Sequence, residues 1–211
     1  MSVTIEAINL DQVERQLGAM KEKAPKVLKL AINDTAREAR SRLAKEAQKT
    51  YAVKAVGFNR VMNIRRATNG NPVAVIHAKG KKIPLGKFSF RDGTLGEGVY
   101  YNPTMHRVQK GKGGVGAAAK VLKSRSRFKT TTKAKLKWFI AKMESGHKGV
   151  FQRNAGMKRG QKGEISEKMG ASIPEMIGDE KRVYGIVEPY IQSDLKDAVN
   201  RHVLRALKGE I

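Results

Sequence analysis

The positive charge of this chain is concentrated in its middle, and this limits where a packed core can form. Residues 47–163 hold 27 Lys and Arg against 3 Asp and Glu, a net charge of +24. The flanks are almost balanced, at +2 for residues 1–46 and −2 for residues 164–211. With 40% hydrophobic residues the chain can bury a core, but not along its whole length. Such asymmetry is typical of a chain that meets a polyanion or an acidic assembly partner; the alternative is a solvated basic surface or a disordered tail.

Length and residue usage exclude several classes of protein. The 211 residues fit one domain, and we predict a single α+β domain over residues 1–211. There is no cysteine, which excludes disulfides, thiolate zinc sites, iron–sulfur clusters and cysteine nucleophiles. The sequence has no run near the roughly 18 apolar residues of a membrane span, and its first residues do not resemble a secretory signal. We therefore expect no membrane partner.

Two helices are predicted in the N-terminal part of the chain. Asp11 and Glu14 have the spacing of a capping box, which indicates a short helix over about 11–23. From about 26 to 49, apolar residues recur at steps of three and four, the pattern of an amphipathic helix. This stripe is rich in alanine, so a helix or a sheet can approach it closely, within the subunit or between subunits. It consists of Leu28, Ala31, Ile32, Thr35, Ala39, Leu43 and Ala47.

After the helices the period changes to the alternation of β-strands. The turn residues 69–71 lie between two apolar runs and indicate a hairpin, in which Gly70 is expected to have a positive φ. Pro84 marks a short edge strand, because proline cannot donate to a sheet. Pro189 is expected to open a last helix. Strands are predicted at residues 61–65, 72–78, 136–143 and 149–153, and residues 2–9 are predicted to form a short strand or an extended arm.

The order of these elements predicts the fold class. Helices come first, strands follow, and a helix ends the chain, which favours α+β over a doubly wound parallel sheet. We predict N-terminal Ala-rich helices, a central and mostly antiparallel β-sheet with long basic loops, and a C-terminal helix. Residues 89–135 are expected to form a long basic loop excursion within the domain, which is usually functional or disordered at such a length.

The sequence offers little for catalysis. Its histidines lie far apart without metal-ligand spacing, so we predict no metal site. Between Glu46 and Glu144 the only acids are Asp92 and Glu97, which argues against a nuclease with bound magnesium. Residues 111–116 fit GxGxxG, but no acid follows at the expected distance, so we interpret them as a flexible basic loop. We predict a non-enzymatic protein without a catalytic residue or a cofactor.

Two short elements carry a resemblance to a known family. Residues 146–153 read GHKGVFQR, and residues 164–177 read EISEKMGASIPEMI. The pair resembles the minor tail protein Z family of tailed bacteriophages and prophages, which has GH-x-G-[IV]-F-x-R, a basic variable turn, and I-x-E-x-x-G-P-S-I-P-x-M. The resemblance covers about 10–210, but residues 89–135 match nothing in it, and Ala171 stands where the family commonly has proline. The matching positions are Gly146, His147, Gly149, Phe151, Arg153, Glu167, Gly170 and Pro174.

We interpret these motif residues as structural. Gly146 and Gly149 are expected to form tight turns, and Phe151 to anchor a strand in the core. Arg153 is expected to pair with Glu167 or to bond carbonyl groups.

The resemblance implies a non-enzymatic virion protein of the neck, at the head-proximal end of the tail. Such a protein, made in the bacterial cytoplasm, completes the tail and helps to seat the genome end in its lumen. Tail symmetry implies a homo-oligomeric ring, with six copies expected. Its implied partners are the tail terminator, the tail tube or head-neck proteins, and double-stranded DNA. Another neck component, a tail terminator or a head-tail adaptor, is the nearest alternative, and a sequence-independent nucleic-acid-binding protein is an alternative of another class.

The basic middle supplies the residues expected to touch DNA or a neighbouring protein. Lys and Arg attract the phosphate backbone without regard to base sequence, which is sufficient for a threaded genome. We assign this contact to the 89–135 excursion and to a basic turn at 154–163. The candidate residues are Lys120, Lys123, Arg125, Arg127, Lys129, Lys133, Lys158 and Arg159.

Overall fold

The chain has mixed α+β architecture, as predicted, in a computed structural model. It contains a long N-terminal helix, small antiparallel sheets and a C-terminal helix. Among the residues that the structure describes, given next, no helix is long and apolar enough to cross a membrane. The structure describes residues 1–6, 10–53, 57–91, 101–102, 107–108, 118–125, 128–129, 138–143, 145–154, 156 and 165–211.

The chain divides into two compact units, each built from separate stretches of sequence. The first unit comprises Met1–Lys49, Gly57–Gly80 and Ile173–Ile211. The second comprises Thr50–Val56 and Lys81–Ser172. The single domain over residues 1–211 stays a prediction.

The first unit joins a three-stranded antiparallel sheet to the helices. The sheet has the order β1-β3-β2, so the predicted hairpin of β2 and β3 is confirmed and the N-terminal strand adds to its other edge. The inward positions Val3 and Ile76 are paired and buried. The elements are β1 (Ser2–Glu6), α1 (Leu10–Leu17), a 3-10 segment (Gly18–Lys23), α2 (Ala24–Thr50), α3 (Phe58–Val61), β2 (Met62–Arg65), β3 (Val73–Ala78), α4 (Ile173–Ile177) and α5 (Tyr184–Leu207).

Two polar bridges place α2 and α5 antiparallel to each other. His202 Nε2 lies 2.8 Å from Asp34 Oδ2, and Arg42 Nε lies 2.9 Å from Asp194 Oδ2. From the first bridge to the second, the residue number rises by eight along α2 and falls by eight along α5, so the two helices point in opposite directions. The alanine stripe of α2 is buried, and among the described residues it packs within the subunit.

Asn33 ties α2 to the hairpin. Its Nδ2 donates to the carbonyl oxygen of Ala67 at 3.1 Å, and its Oδ1 accepts the Ala67 N–H at 2.9 Å. One side chain thus satisfies both backbone groups of a residue that a strand does not cover. This pairing explains a half-buried asparagine beside the apolar stripe of α2.

The second unit is made of short antiparallel strands. Its sheets have the orders β10-β11-β12, β5-β8-β9, β13-β4 and β6-β7. Pro84 lies in β4 as expected for a two-stranded edge. The strands are β4 (Lys82–Pro84), β5 (Ser89–Arg91), β6 (Tyr101–Asn102), β7 (Arg107–Val108), β8 (Ala118–Lys120), β9 (Phe128–Lys129), β10 (Trp138–Lys142), β11 (Lys148–Arg153), β12 (Ile165–Glu167) and β13 (Met169–Ser172).

Two details of the predicted turns and helices were wrong. Gly70 does not have a positive φ; the turn is closed instead by Thr68, whose hydroxyl accepts the Asn71 N–H at 3.1 Å. Pro189 lies inside α5 rather than at its start. The chain turns into α5 at Asp179, whose backbone oxygen accepts the N–H groups of Val183 and Tyr184.

The predicted first helix is also divided. It is α-helical only as far as Leu17 and continues as the 3-10 segment. Gly18 has a φ of +54°, and Met20 has non-helical dihedral angles. A residue without a Cβ adopts the left-handed region at little cost, so Gly18 is the position at which the α-helix ends.

Candidate functional site

Four family-motif residues form one cluster on the β10-β11-β12 sheet. His147, Gly149 and Phe151 alternate along the chain and therefore share a face of the sheet. Phe151 pairs directly with Glu167 of β12. The Glu167 carboxylate lies over Gly149, and its Oε1 is 2.8 Å from His147 Nε2. The two halves of the motif, 20 residues apart, are thus joined by one hydrogen bond.

Gly149 leaves the space that this hydrogen-bonded pair occupies. A Cβ at position 149 would lie 2.5 Å from Glu167 Oε1, 3.1 Å from His147 Nε2 and 3.0 Å from Phe151 Cε2. The prediction that Gly149 forms a tight turn was wrong, because this residue lies inside β11. Its role is close approach of three side chains rather than a backbone bend.

Gly146 and Phe151 of the first motif have the structural surroundings expected of them. Gly146 has a φ of +81° in the turn before β11, where its N–H donates to the Met143 oxygen. Phe151 is buried, and its ring meets the His147 ring edge-on at 6.3 Å between centroids. Val150 and Ile140 are paired across β10 and β11 and buried on the opposite face.

Gly170 is confined by a buried ring. A Cβ at this position would collide with Cε2 of Phe88 and lie 2.8 Å from its Cζ. Phe88 is fully buried. Only glycine allows β13 to pass this ring, which gives a physical reason for the glycine in the second motif. Pro174, the other matching position there, lies in the first turn of α4, where proline is tolerated.

Replacing Gly149 with alanine is expected to break the His147–Glu167 pair while leaving β11 intact. The far end of Glu167 can swing away, so the loss is about 1 kcal/mol, the net value of one hydrogen bond. Urea unfolding measures the free energy of unfolding. In a Glu167→Ala background the same substitution should cost clearly less, because neither the carboxylate nor its hydrogen bond is present; an unchanged cost in that background contradicts a role through Glu167.

The basic candidate residues are only partly placed. Lys120 ends β8 and is half-buried, while Lys123 and Arg125 are exposed in the following turn. Lys129 lies in β9, opposite Ala118 of β8. We call β5, β8, β9 and residues 121–125 the basic sheet. Arg127, Lys133, Lys158 and Arg159 lie outside the described residues, and so does the GxGxxG segment.

Backbone hydrogen bonds fix the turn that carries the exposed cations. The Ala52 N–H donates to the Val121 oxygen at 2.8 Å, and the Lys123 N–H donates to the Thr50 oxygen at 2.9 Å. The Arg125 N–H closes the turn on the Leu122 oxygen. The side chains of Lys123 and Arg125 therefore extend from an anchored backbone.

Charge is distributed unequally between the two units. The second unit contains 23 Lys and Arg against 5 Asp and Glu, or +18, and the first contains 20 against 14, or +6. The ion pairs that the structure describes between a carboxylate and Lys or Arg lie in the first unit. Of the five acids of the second unit, only Glu167 lies among the described residues, and it faces His147.

Each histidine that the structure describes has a polar neighbour. His77 Nδ1 lies 3.0 Å from Ser2 Oγ, and His147 and His202 face carboxylates. No group of three or more His, Asp or Glu residues capable of holding a metal ion occurs among the described residues. The side chain of Arg153 lies outside the described part, so its pairing with Glu167 stays a prediction.

Sequence reasoning missed the partners that connect distant segments. The Asp34–His202 bridge, the Asn33–Ala67 clamp and the contact of Gly170 with Phe88 join residues from 34 to 168 positions apart. A contact between two single residues so far apart in the chain produces no periodic pattern in the sequence. The polar Asn33 and Asp34 at the margin of an apolar stripe were the available sign.

Comparison with known families gives one match that spans nearly the whole chain. A family model described as prophage minor tail protein Z (GPZ) matches residues 9–208. No curated protein and no solved structure matches the chain. The matched range contains both motif elements, the His147–Glu167 pair and the basic sheet.

Proposed function

Because this chain belongs to the prophage minor tail protein Z family, and is thus a structural protein of the phage tail, we propose that it completes the tail as a ring. The ring lies at the head-proximal end, joins the tail to the head, and contacts the end of the genome in its lumen. Six copies match the symmetry expected of a tail. Neighbouring rings, namely the tail terminator, tail tube or head-neck proteins, are its protein partners.

The observation that supports this proposal is the excess positive charge of the second unit. That unit carries +18, while the first unit carries +6. A subunit with one weakly charged part and one strongly cationic part can use the first for packing and the second to meet an anion. DNA, with one charge per about 1.7 Å of its axis, is such an anion.

Ring symmetry increases the effect of each exposed cation. Every copy presents Lys123 and Arg125 from the same anchored turn, so one side chain becomes a circle of charges. A circle of cations contacts phosphates at any rotation of the duplex and requires no base readout. This arrangement suits DNA that must be held at the neck and later pass through.

Electron microscopy of purified tails tests the location. Antibody or gold label on the C-terminus should mark only the head-proximal end, and tails from a host lacking the protein should be unmarked and unable to join heads. A label along the tail or at its distal tip contradicts the proposal.

A salt series with duplex DNA separates the nucleic-acid-binding alternative. The isolated chain of a free DNA-binding protein would bind tightly, whereas a ring subunit gains affinity only on assembly through many weak contacts. Adding magnesium to the same samples shows whether the DNA is cut.

A further inference from the structure

Helix α5 carries apolar residues on the side that faces away from the core. Its inner side is buried through Val187, Ile191, Leu195, Ala198, His202 and Ala206. On its outer side four large side chains are exposed, Ile186 by 45%, Tyr190 by 53%, Leu204 by 59% and Leu207 by 46%. Scattered apolar residues are normal on a surface, but these follow a single line.

The line has the spacing of a coiled-coil seam. Between Ile186 and Leu207 the outer residues follow one another at alternating steps of four and three, which is the heptad pattern. All of them are exposed. We call this set the outer seam: Ile186, Tyr190, Ser193, Asp197, Asn200, Leu204 and Leu207.

We propose that a second copy of this chain packs antiparallel onto the outer seam, forming a two-fold dimer through α5. In this register Tyr190 meets Leu207 of the second copy, and Ser193 meets its Leu204. At the centre the Asp197 carboxylate meets the Asn200 amide, a donor that satisfies it. Each of these residue pairs then occurs twice in the dimer, as two-fold symmetry requires.

Charge distinguishes this register from its competitors. A parallel pair brings Asp197 against itself in the seam, where like charges repel most strongly. An antiparallel pair shifted by one heptad brings Lys196 opposite itself. The proposed register instead keeps the two Lys196 side chains apart. The polar centre thereby specifies orientation, as a single polar layer does in coiled coils.

The size of the contact fits a reversible dimer. A helix of 24 residues is about 36 Å long, so two of them side by side bury on the order of 1,000 Å². This area lies at the lower end for a specific interface. The dimer concerns the first unit and the free protein, and it holds whether or not the assembled form is a ring.

Disulfide trapping tests the register in a chain that has no cysteine of its own. In the double variant Ser193→Cys/Leu204→Cys, oxidation should link two copies. The two positions are 11 residues, about 17 Å, apart on one helix, too far for a bond within the chain. Either single variant should stay unlinked, because its cysteines lie the same distance apart in the dimer. Mixing the two single variants should give linked pairs.

Sedimentation of the unmodified chain at tens of micromolar should give twice the chain mass. Leu204→Glu should weaken this dimer at least tenfold, while Gln192→Glu, exposed on α5 but outside the seam, should leave it unchanged. Equal linking of single and double variants, a monomer at all concentrations, or a dimer indifferent to Leu204→Glu overturns the proposal. Circular dichroism confirms that each variant is folded.

Discussion

Tails that carry Lys123→Glu and Arg125→Glu are expected to fail in joining heads or in retaining the genome. Both side chains extend from a turn anchored on Thr50 and Ala52, without a described carboxylate partner. Each lost phosphate contact lowers the salt dependence of DNA affinity by about one unit of slope, so the double variant should lose about two units for each subunit that contacts DNA. Plaque counts should fall by orders of magnitude, and micrographs should show separate tails and heads, or empty joined particles.

A matched change of charge elsewhere controls for net charge alone. Lys21→Glu and Lys26→Glu alter the charge of the chain by the same amount from exposed positions in the first unit. These tails should join heads normally. Normal infectivity of the Lys123/Arg125 variant contradicts contact through the basic sheet. An equal loss of infectivity in the control also contradicts it, because net charge alone then explains the defect.

Local patterns predicted the regular elements because these depend on neighbours in sequence. Steps of three and four predicted the helix that became α2, and alternation around residues 69–71 predicted the β2–β3 hairpin. The same reasoning failed at Gly70, where the Thr68 hydroxyl closes the turn, and at Pro189, where Asp179 begins the turn into the helix. In both cases a single side chain or backbone group elsewhere determined the local geometry.

The motif residues were found from the sequence, but their physical roles were not. Resemblance identified Gly149 and Glu167 without showing that the carboxylate lies over the glycine. That relation depends on the β11–β12 register, which pairs Phe151 with Glu167 across a long connection. Register between strands far apart in the chain follows from tertiary packing, which single-residue patterns do not contain.

Gly170→Ala is expected to be more destabilising than Gly149→Ala. The new methyl group would overlap Cε2 of Phe88, a fully buried ring with no exposed end to move. Overpacking of this kind costs about 3 kcal/mol, which should appear as a lower urea midpoint at an unchanged slope. Gly70→Ala provides the control, because nothing lies within 4 Å of a Cβ there and its φ is not positive. It should be neutral or slightly stabilising.

A double-mutant cycle identifies Phe88 as the cause. Phe88→Leu alone leaves a cavity and should cost stability by itself. If the alanine methyl group and the ring compete for the same space, the double variant Gly170→Ala/Phe88→Leu should lose less than the two single variants together. If the losses of free energy of unfolding are additive, glycine is required at position 170 for its backbone conformation and not because of the Phe88 ring. Since Gly170 belongs to the second motif, a positive coupling gives that glycine a packing function in this chain, separate from any contact with DNA or a neighbouring ring.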